Sequence, residues 1–275
     1  MKELPIYKLR PFEGHPFKVT DNEEMAQLEE SILTQGLLTP LVVRPLENGT
    51  YEVISGHRRL YACKKAGIET VPALVVDMDR DAAAIALVDS NLHREKILPS
   101  EKAFAYKLKR DALSHQGATS PQVGEKLLTV EKVGLEAGDS KNQVLRYIRL
   151  TNLIPGILDM VDEGRIALTP AVELSYLGEW EQRDLLETME SEDCTPSLSQ
   201  AMMLKTTSQA GQLTMDKIFT IMTQPKPNQQ EKISFKVSEI RDYFPRGYTA
   251  SQMTRDILKG LELLKQQRQR NRDAR

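Results

Sequence analysis

The sequence predicts an α+β protein with a small mixed sheet in its first hundred residues and helices in the remaining part. Short β-rich runs alternate with amphipathic helix patterns as far as about residue 76. Helical patterns then follow one another for more than a hundred residues. The chain has 275 residues, of which 40% are hydrophobic, and this is enough for one large domain or for two or three small ones.

Three regions are expected from breaks in these patterns. Stretches that are polar or rich in Gly, Ser or Pro lie at residues 117–124, 208–211 and 225–230. The expected regions are a front domain at residues 1–98, a helical domain at 99–207 and a small C-terminal region with a basic tail at 208–275. The last region contains a predicted helix at about 250–267, which either dimerises the protein or packs on its own chain. Its apolar face consists of Met253, Ile257, Leu261 and Leu264.

Local signals predict each element of the front domain. Asp21 and Glu24 form a capping pair ahead of a helix that ends at Gly36. Asn48-Gly49 predicts a turn between two strands, and Gly56 separates the second of these strands from a helix. The expected strands are residues 4–9, 41–43, 51–54 and 71–76, and the second helix is residues 57–66.

Composition excludes several classes of protein. Cys63 and Cys194 lie far apart and outside any CxxC pair, so we expect neither a disulfide framework nor a zinc site. The first residues lack the apolar segment of a signal peptide, and no apolar run reaches the roughly 18 residues of a membrane span. We therefore expect a cytoplasmic protein without membrane contact. The net charge of −2 does not exclude DNA, because phosphate contact needs only a local basic face.

A glycine followed by two arginines marks the start of the second predicted helix. The strand that contains Ile54 ends at Gly56, and Arg58 and Arg59 fall in the first helical turn. Helix N-terminal amides favour an anion and disfavour unpartnered arginines. A bound phosphate would remove this conflict, since arginine makes charge-assisted bonds to it. The alternative is a turn glycine with two solvated arginines.

A polar segment from Asp89 to Glu95 ends the alanine-rich helix that follows. Asn91 suits a metal ion or a phosphate oxygen, and Arg94 suits a second phosphate. We expect His93 to be exposed, because no second histidine stands at metal-ligand spacing. The alternative is an ordinary polar helix end.

Residues 129–150 are typical of two helices joined by a tight turn. Gly134 is the small residue at the helix contact, Gly138 allows the turn, and Ser140 caps the second helix. That helix carries no acidic residue, and its expected inner face is Val144, Leu145 and Ile148. Its outer face suits the base edges and phosphates of DNA, and the alternative is a plain helical hairpin. The candidate DNA-binding residues are Ser140, Lys141, Asn142, Gln143, Arg146 and Tyr147.

Together these motifs resemble the ParB/RepB family of partition proteins. The resemblance rests on Gly56-His57-Arg58-Arg59, on Asn91-Leu92-His93-Arg94-Glu95 about 35 residues later, and on Pro99-Ser100-Glu101-Lys102-Ala103. It includes residues 31–44, which resemble the family's first helix and strand, and the helix-turn-helix at the expected distance. It is strong over residues 4–110 and weak beyond about 205.

The resemblance implies both a fold and a function. The front domain would share a mixed α/β fold with sulfiredoxin, and an all-α helix-turn-helix domain and a small C-terminal region would follow. Relatives of this kind bind palindromic double-stranded DNA, bind CTP with Mg²⁺, close as clamps and segregate plasmids or chromosomes, often with a ParA-type ATPase. We expect a homodimer, because a two-fold protein matches a palindrome. The nucleotide-binding residues carried over are Gly36, Thr39, Gly56, His57, Arg58, Arg59, Asn91 and Arg94, with Asn91 also at the metal.

The chain departs from the family pattern in four ways. His57 and Ser90 each stand where a Glu is usual, and residues 15–17 are His-Pro-Phe instead of Gln-Pro-Arg. Because the Glu before Asn91 is linked to hydrolysis, weak CTP hydrolysis and none are both left open, and no catalytic residue is assigned. The sequence begins at the first strand without the basic arm that engages ParA, so a ParA-type partner is also left open. These departures fit a divergent branch of plasmid or mobile-element type.

Two other functions compete with this one on the sequence. An oxidoreductase of sulfiredoxin type needs a cysteine thiolate in its Gly-Cys-His-Arg loop, whereas this chain has Gly56-His57-Arg58 and Cys63 is expected in the core. A helix-turn-helix transcription regulator would use the front domain only as a scaffold. Such a regulator would ignore CTP, so nucleotide binding distinguishes it from a partition protein.

Overall fold

The computed structural model describes residues 1–92, 94, 96–116, 123–224, 240–245 and 247–273. Contacts within the chain divide it into two units, Met1–Gln224 and Pro225–Arg275. Residues 117–122 of the expected linker, the expected break at 225–230 and His93 lie outside the described residues. The expected division of the first unit into a front and a helical domain stays a prediction.

A five-stranded mixed sheet forms the base of the first unit. Its strands are β1 (Lys2–Pro5), β2 (Leu9–Pro11), β3 (Leu41–Pro45), β4 (Tyr51–Ser55) and β5 (Thr70–Val75). They lie in the order β1-β5-β3-β4-β2, with β1–β5 and β3–β4 antiparallel and β5–β3 and β4–β2 parallel. The single strand expected at residues 4–9 is wrong, because a 3-10 turn at Ile6–Lys8 carries the chain from one edge of the sheet to the other. The mixed sheet itself confirms the predicted fold class.

Three helices complete the front part, namely α1 (Glu23–Gln35), α2 (His57–Lys65) and α3 (Arg80–Asp89). The cap of α1 is Asn22 instead of Asp21, because the Asn22 side chain accepts the backbone N–H of Met25 at 3.0 Å. Gly36 ends α1 with φ +72°, as predicted. Cys63 is buried in the core between α1, α2 and the sheet, also as predicted.

Eight helices make up the rest of the described first unit. They are α4 (Pro99–Gln116), α5 (Val123–Ala137), α6 (Lys141–Leu150), α7 (Pro155–Asp162), α8 (Leu168–Leu174), α9 (Glu179–Ser191), α10 (Leu198–Gln209) and α11 (Met215–Met222). The boundary expected at 207/208 falls inside α10. The buried Gln200 of α10 donates to the carbonyls of Ile221 and Met222 at 2.9 and 3.1 Å, which ties α11 to the same core.

In the second unit, the described residues contain one long helix, α12 (Ala250–Asp273), after a 3-10 turn at Arg241–Tyr243. Met253 is buried, whereas Leu258, Leu261 and Leu264 are exposed within this unit. Of the helices in the described ranges, none combines the length and the apolarity needed to cross a membrane.

Candidate nucleotide and nucleic-acid sites

A cavity of about 560 Å³ opens at the N-terminal end of α2. The start of α1, the β4–α2 junction and the residues that follow α3 form its wall. The lining residues are Glu24, Gln27, Leu28, Ser55, Gly56, His57, Arg58, Arg59, Ser90, Asn91 and Arg94. Six of the eight expected nucleotide-binding residues therefore meet here, whereas Gly36 and Thr39 do not line the cavity.

Gly56 sets the geometry of the β4–α2 junction. It has φ +104° and ψ 26°, a backbone conformation that other residues rarely adopt. A Cβ atom here would lie 2.5 Å from Cδ2 of Leu41 and 3.1 Å from Nη2 of Arg59. The first turn of α2 has no acidic residue and no side-chain cap. Its free amide groups and the helix dipole therefore favour an anion at this point.

Arg58 and Arg59 have different partners. Arg58 forms an exposed ion pair with Glu24, with Nη2 3.2 Å from Oε2. Arg59 donates to the backbone carbonyls of Thr39 and Pro40 at 2.6 and 3.0 Å. Arg59 therefore fixes the loop after α1 against α2, whereas Arg58 pairs with a side chain of the cavity wall.

Arg94 approaches the same cavity from the segment after α3. Its guanidinium lies over the ring of Phe17, 5.5 Å from the centroid. Burial lowers the pKa of Arg94, the Glu101 carboxylate raises it, and the nearby Arg58 lowers it again. A bound anion would offset both the burial and the repulsion from Arg58.

His57 lines the cavity, and its ring is hydrogen-bonded to the protein itself. Its Nε2 accepts the backbone N–H of Phe12 at 3.3 Å, and the ring also bonds to the backbone of Val53. The ring of His15 contacts it with centroids 3.7 Å apart and the ring planes tilted by 37°. Burial lowers the pKa of His57 to about 3, with further depression from His15 and Arg94, and burial lowers the pKa of His15 to about 4. His57 is thus a neutral support of the cavity.

Asn91 and Ser90 line the cavity at the end of α3. The Asn91 amide donates to the carbonyl of Leu87 at 2.8 Å and to Oγ of Ser90 at 3.1 Å. These bonds fix the orientation of the buried amide. No group of three or more His, Cys, Asp or Glu side chains that could hold a metal ion occurs among the described residues. An ion here would therefore depend on Asn91, Glu24 and oxygens of the ligand itself.

A second cavity of about 810 Å³ adjoins the first. The residues that line both are Glu24, Arg58 and Arg94. The second cavity extends to Lys18 and Glu101. Glu101 accepts the backbone N–H groups of Lys18 and Leu98 at 2.7 and 2.9 Å. The space for a ligand therefore runs from the N-terminus of α2 to the start of α4.

Helices α5 and α6 form the predicted helix-turn-helix. Gly138 has φ +72° in the turn, and Oγ of Ser140 accepts the backbone N–H of Gln143 at 3.2 Å, which confirms the cap. A Cβ atom on Gly134 would lie 2.5 Å from the carbonyl oxygen of Asp139, which explains the small residue there.

The candidate DNA-binding side chains of α6 differ in their freedom. Asn142 is exposed and Gln143 is half-buried. Lys141 pairs with Glu131 at 2.7 Å, and Arg146 donates to the hydroxyl of Thr169 in α8 at 2.6 Å. Both cationic side chains remain at the surface, held by single partners.

Two residues of α6 lie on the face opposite to the expected one. Leu145, expected inside, is 42% exposed. Tyr147, expected on the outer face, packs edge-on to Tyr106 of α4 with centroids 6.0 Å apart. The ammonium of Lys102 lies 4.8 Å from the Tyr147 ring centroid. The reason is that α4 packs on the Tyr147 side of α6, so the buried face contains Tyr147 instead of Leu145.

The contribution of α1 to the cavity was missed in the sequence. Glu24 was interpreted only as a capping residue, yet its carboxylate pairs with Arg58 in the cavity wall. The available signal was the spacing of Glu24 and Gln27, which places both on one face of a helix. What no local pattern could supply was that this face meets α2.

Comparison with known proteins shows which proteins this chain is similar to. Residues 1–92 match the model of the ParB N-terminal domain. Residues 1–92 therefore form a ParB-like N-terminal domain. The chromosome-partitioning protein Spo0J of Thermus thermophilus is 36% identical to this ParB-like chain over 189 residues, or 67% of this chain and 64% of that protein.

Two further relatives widen this picture of the ParB-like chain. A probable chromosome-partitioning protein ParB of Vibrio cholerae is 28% identical over 265 residues, or 96% of this chain and 85% of that protein. A nucleoid occlusion protein of Listeria innocua is 32% identical over 190 residues, or 68% of this chain and 62% of that protein. The ParB-like chain thus spans less than two thirds of the Thermus and Listeria proteins.

Proposed function

We propose that the chain is a sequence-specific DNA-binding partition protein of ParB type that binds CTP in the cavity at the N-terminus of α2. The observation that carries this proposal is that Arg58 and Arg94 line one cavity beside an uncapped helix N-terminus. Both arginines line a cleft that continues toward α4. A polyphosphate is the ligand that satisfies the free amides and both guanidinium groups together.

CTP is chosen among the nucleoside triphosphates on the family relationship. The residues at the phosphate end explain why a triphosphate binds, and they carry no preference for a base. Mg²⁺ would be held by Asn91, Glu24 and phosphate oxygens, since Mg²⁺ usually takes one or two protein ligands and keeps the rest from water and phosphate. The ion would supply charge neutralisation between phosphate oxygens.

Hydrolysis of CTP has two alternatives, slow turnover or none. Ser90 stands where a carboxylate would be needed, and its hydroxyl is bound to the Leu87 carbonyl at 2.9 Å. Glu24 is the one carboxylate among the described residues that line the first cavity, and it is paired with Arg58. We therefore propose that the chain binds CTP, and we assign no catalytic residue.

Titration calorimetry tests the nucleotide. With Mg²⁺ and a DNA site selected from a random pool present, we expect heat with CTP and little with ATP, GTP or UTP. Arg58→Ala should lower the CTP affinity at least tenfold, because a charge-assisted bond contributes about 1.5–3 kcal/mol. Arg10→Ala, which removes an exposed arginine of β2, is the matched control and should leave the affinity unchanged.

The outcome also separates the two rival functions. If none of the four nucleotides gives heat or competes with another, the cavity is only a turn with two arginines. The chain would then be a helix-turn-helix transcription regulator. One observation favours that second candidate: Arg59 and His57, both expected at the phosphates, bond to backbone groups of the protein itself.

For DNA, the proposal rests on α6. This helix has no acidic residue, its cap is formed, and Asn142, Gln143 and Arg146 lie along its accessible side. A recognition helix reads base edges with such amide and guanidinium groups near its N-terminus. In the turn from α5, the Asp139 N–H donates to the carbonyl of Gly134 at 2.9 Å, and a side chain at Gly134 would collide with the Asp139 carbonyl.

Replacing Gln143 and Arg146 together by alanine should weaken binding to the selected site by about 1–3 kcal/mol for each residue that reads a base. Preference at the contacted positions should relax as well. Fluorescence anisotropy with the selected site and with single-base variants measures both effects. Arg165→Ala, an exposed arginine outside α6, should change neither. Unchanged affinity and preference in the double variant would mean that α6 is not the recognition helix.

We further propose a homodimer on a palindromic site, with α12 as its contact. The support is the set of apolar side chains that α12 leaves exposed within its unit, Leu258, Leu261 and Leu264. A two-fold protein presents two copies of α6 to two half-sites. A ParA-type ATPase is left open as a partner, on the family relationship alone. Plasmid or chromosome segregation and a cytoplasmic, DNA-bound location are proposed on the same ground.

A further inference from the structure

Lys109, in the middle of α4, is the only lysine or arginine buried among the residues that the structure describes. Its side chain is 0% exposed. Its ammonium forms ion pairs with two carboxylates, those of Asp89 and Glu136. A buried ammonium is stable only when paired and hydrogen-bonded, so both contacts constrain where their elements lie.

The two carboxylates belong to the two candidate sites. Asp89 is the last residue of α3, and Ser90 and Asn91 of the nucleotide cavity follow it directly. Glu136 lies in the last turn of α5, before the turn that leads to α6. A single ammonium therefore joins the end of the nucleotide segment to the helix-turn-helix.

Other residues on the same face of α4 hold that turn as well. Lys102 pairs with Asp139 at 2.7 Å, and the hydroxyl of Tyr106 donates to Asp139 at 2.6 Å. Lys102, Tyr106 and Lys109 are spaced as i, i+4 and i+7, so they form one stripe along α4. Burial would raise the pKa of Asp139, but the bonds from Lys102 and Tyr106 hold that pKa below its usual value. These contacts bind the helix-turn-helix to α4 without touching the nucleotide segment.

We propose that Lys109 is a positioning residue that couples nucleotide binding in the cavity to DNA binding by α5 and α6. The inference rests on the proposed function of both sites. A ligand that draws Asn91 and Arg94 toward its phosphates displaces Asp89 at the same helix end. The buried ammonium cannot lose one carboxylate without cost, so Glu136 and α5 follow. By linkage, DNA then changes the affinity for the nucleotide by the same factor as the nucleotide changes the affinity for DNA.

The test removes one of the two ion pairs of Lys109 at a time. In Asp89→Asn and in Glu136→Gln, Lys109 keeps one carboxylate, and the amide oxygen can still accept a hydrogen bond in place of the other, so we expect each variant to fold with the buried ammonium paired. Both carboxylates are partly exposed, at 46% and 42%, which makes the amides acceptable. The measured quantity is the ratio of the CTP dissociation constants with and without the selected DNA site. Lys107→Met on the same helix is the control, because Lys107 forms no ion pair among the described residues.

In the wild type and in Lys107→Met we expect DNA to change the CTP dissociation constant at least fivefold. In Asp89→Asn and in Glu136→Gln we expect less than a twofold change, with each ligand still bound separately. A wild-type ratio near one, or carboxylate variants that keep the full ratio, would overturn the coupling role. Failure of the wild type to bind CTP at all would instead remove the proposed function on which this role depends.

Discussion

Replacing Gly56 with alanine should lower the free energy of unfolding by about 2–5 kcal/mol and abolish nucleotide binding. A non-glycine residue in left-handed backbone costs roughly 1–2 kcal/mol. The new Cβ would also lie 2.5 Å from Leu41, and overpacking of this kind costs about 1–3 kcal/mol. Urea denaturation of the full chain measures the loss of stability, and calorimetry with CTP measures the loss of binding.

Gly67→Ala is the matched control for this experiment. Gly67 also has a positive φ, +70°, but a Cβ atom there would meet no other atom within 4 Å. This variant should therefore lose only the roughly 1–2 kcal/mol of the backbone conformation and keep nucleotide binding. Equal losses in the two variants would show that the close approach of Leu41 is not what requires glycine at position 56.

Acidification from pH 7 to pH 5 should lower the free energy of unfolding by about 2–4 kcal/mol through His15 and His57. Their folded pKa values, about 4 and about 3, lie below the unfolded value of 6.5. The unfolded chain therefore binds more protons than the folded chain in this range, and stability falls as the pH drops. Each of the two histidines contributes about 1.4 kcal/mol per pH unit below 6.5 until the folded group also protonates.

Urea denaturation at a series of pH values measures this slope. His15→Phe keeps an aromatic ring against His57 and should remove about half of the loss. Stability that stays constant from pH 7 to pH 5 would mean that His15 and His57 are not buried in the neutral form.

The sequence predicted those parts of the fold that local signals determine. The start of α2 at Gly56, the turn at Gly138 and the cap at Ser140 all depend on neighbours a few residues away. The alternation of β-rich runs with helix patterns, which predicted the mixed sheet, is also a local signal. In the candidate site, the cluster of Gly56, Asn91 and the arginines was placed by family resemblance, and the cavity now brings those residues together.

What could not be predicted depends on which elements pack together. Arg59 stands beside Arg58 in the sequence, yet only the approach of the loop after α1 makes it a hydrogen-bond donor to two backbone carbonyls. Likewise, Tyr147 turns inward because α4 packs against α6. Lys109 gave no signal at all, because a lysine in a long helix is ordinarily solvated.

The edges of the five-stranded sheet bear on how copies of this chain can meet. Both outer strands are short, four residues in β1 and three in β2, and each ends in a proline that has no N–H to donate. Such edges are poor templates for a strand from another molecule. Among the strands that the structure describes, pairing between copies through these two sheet edges is therefore disfavoured.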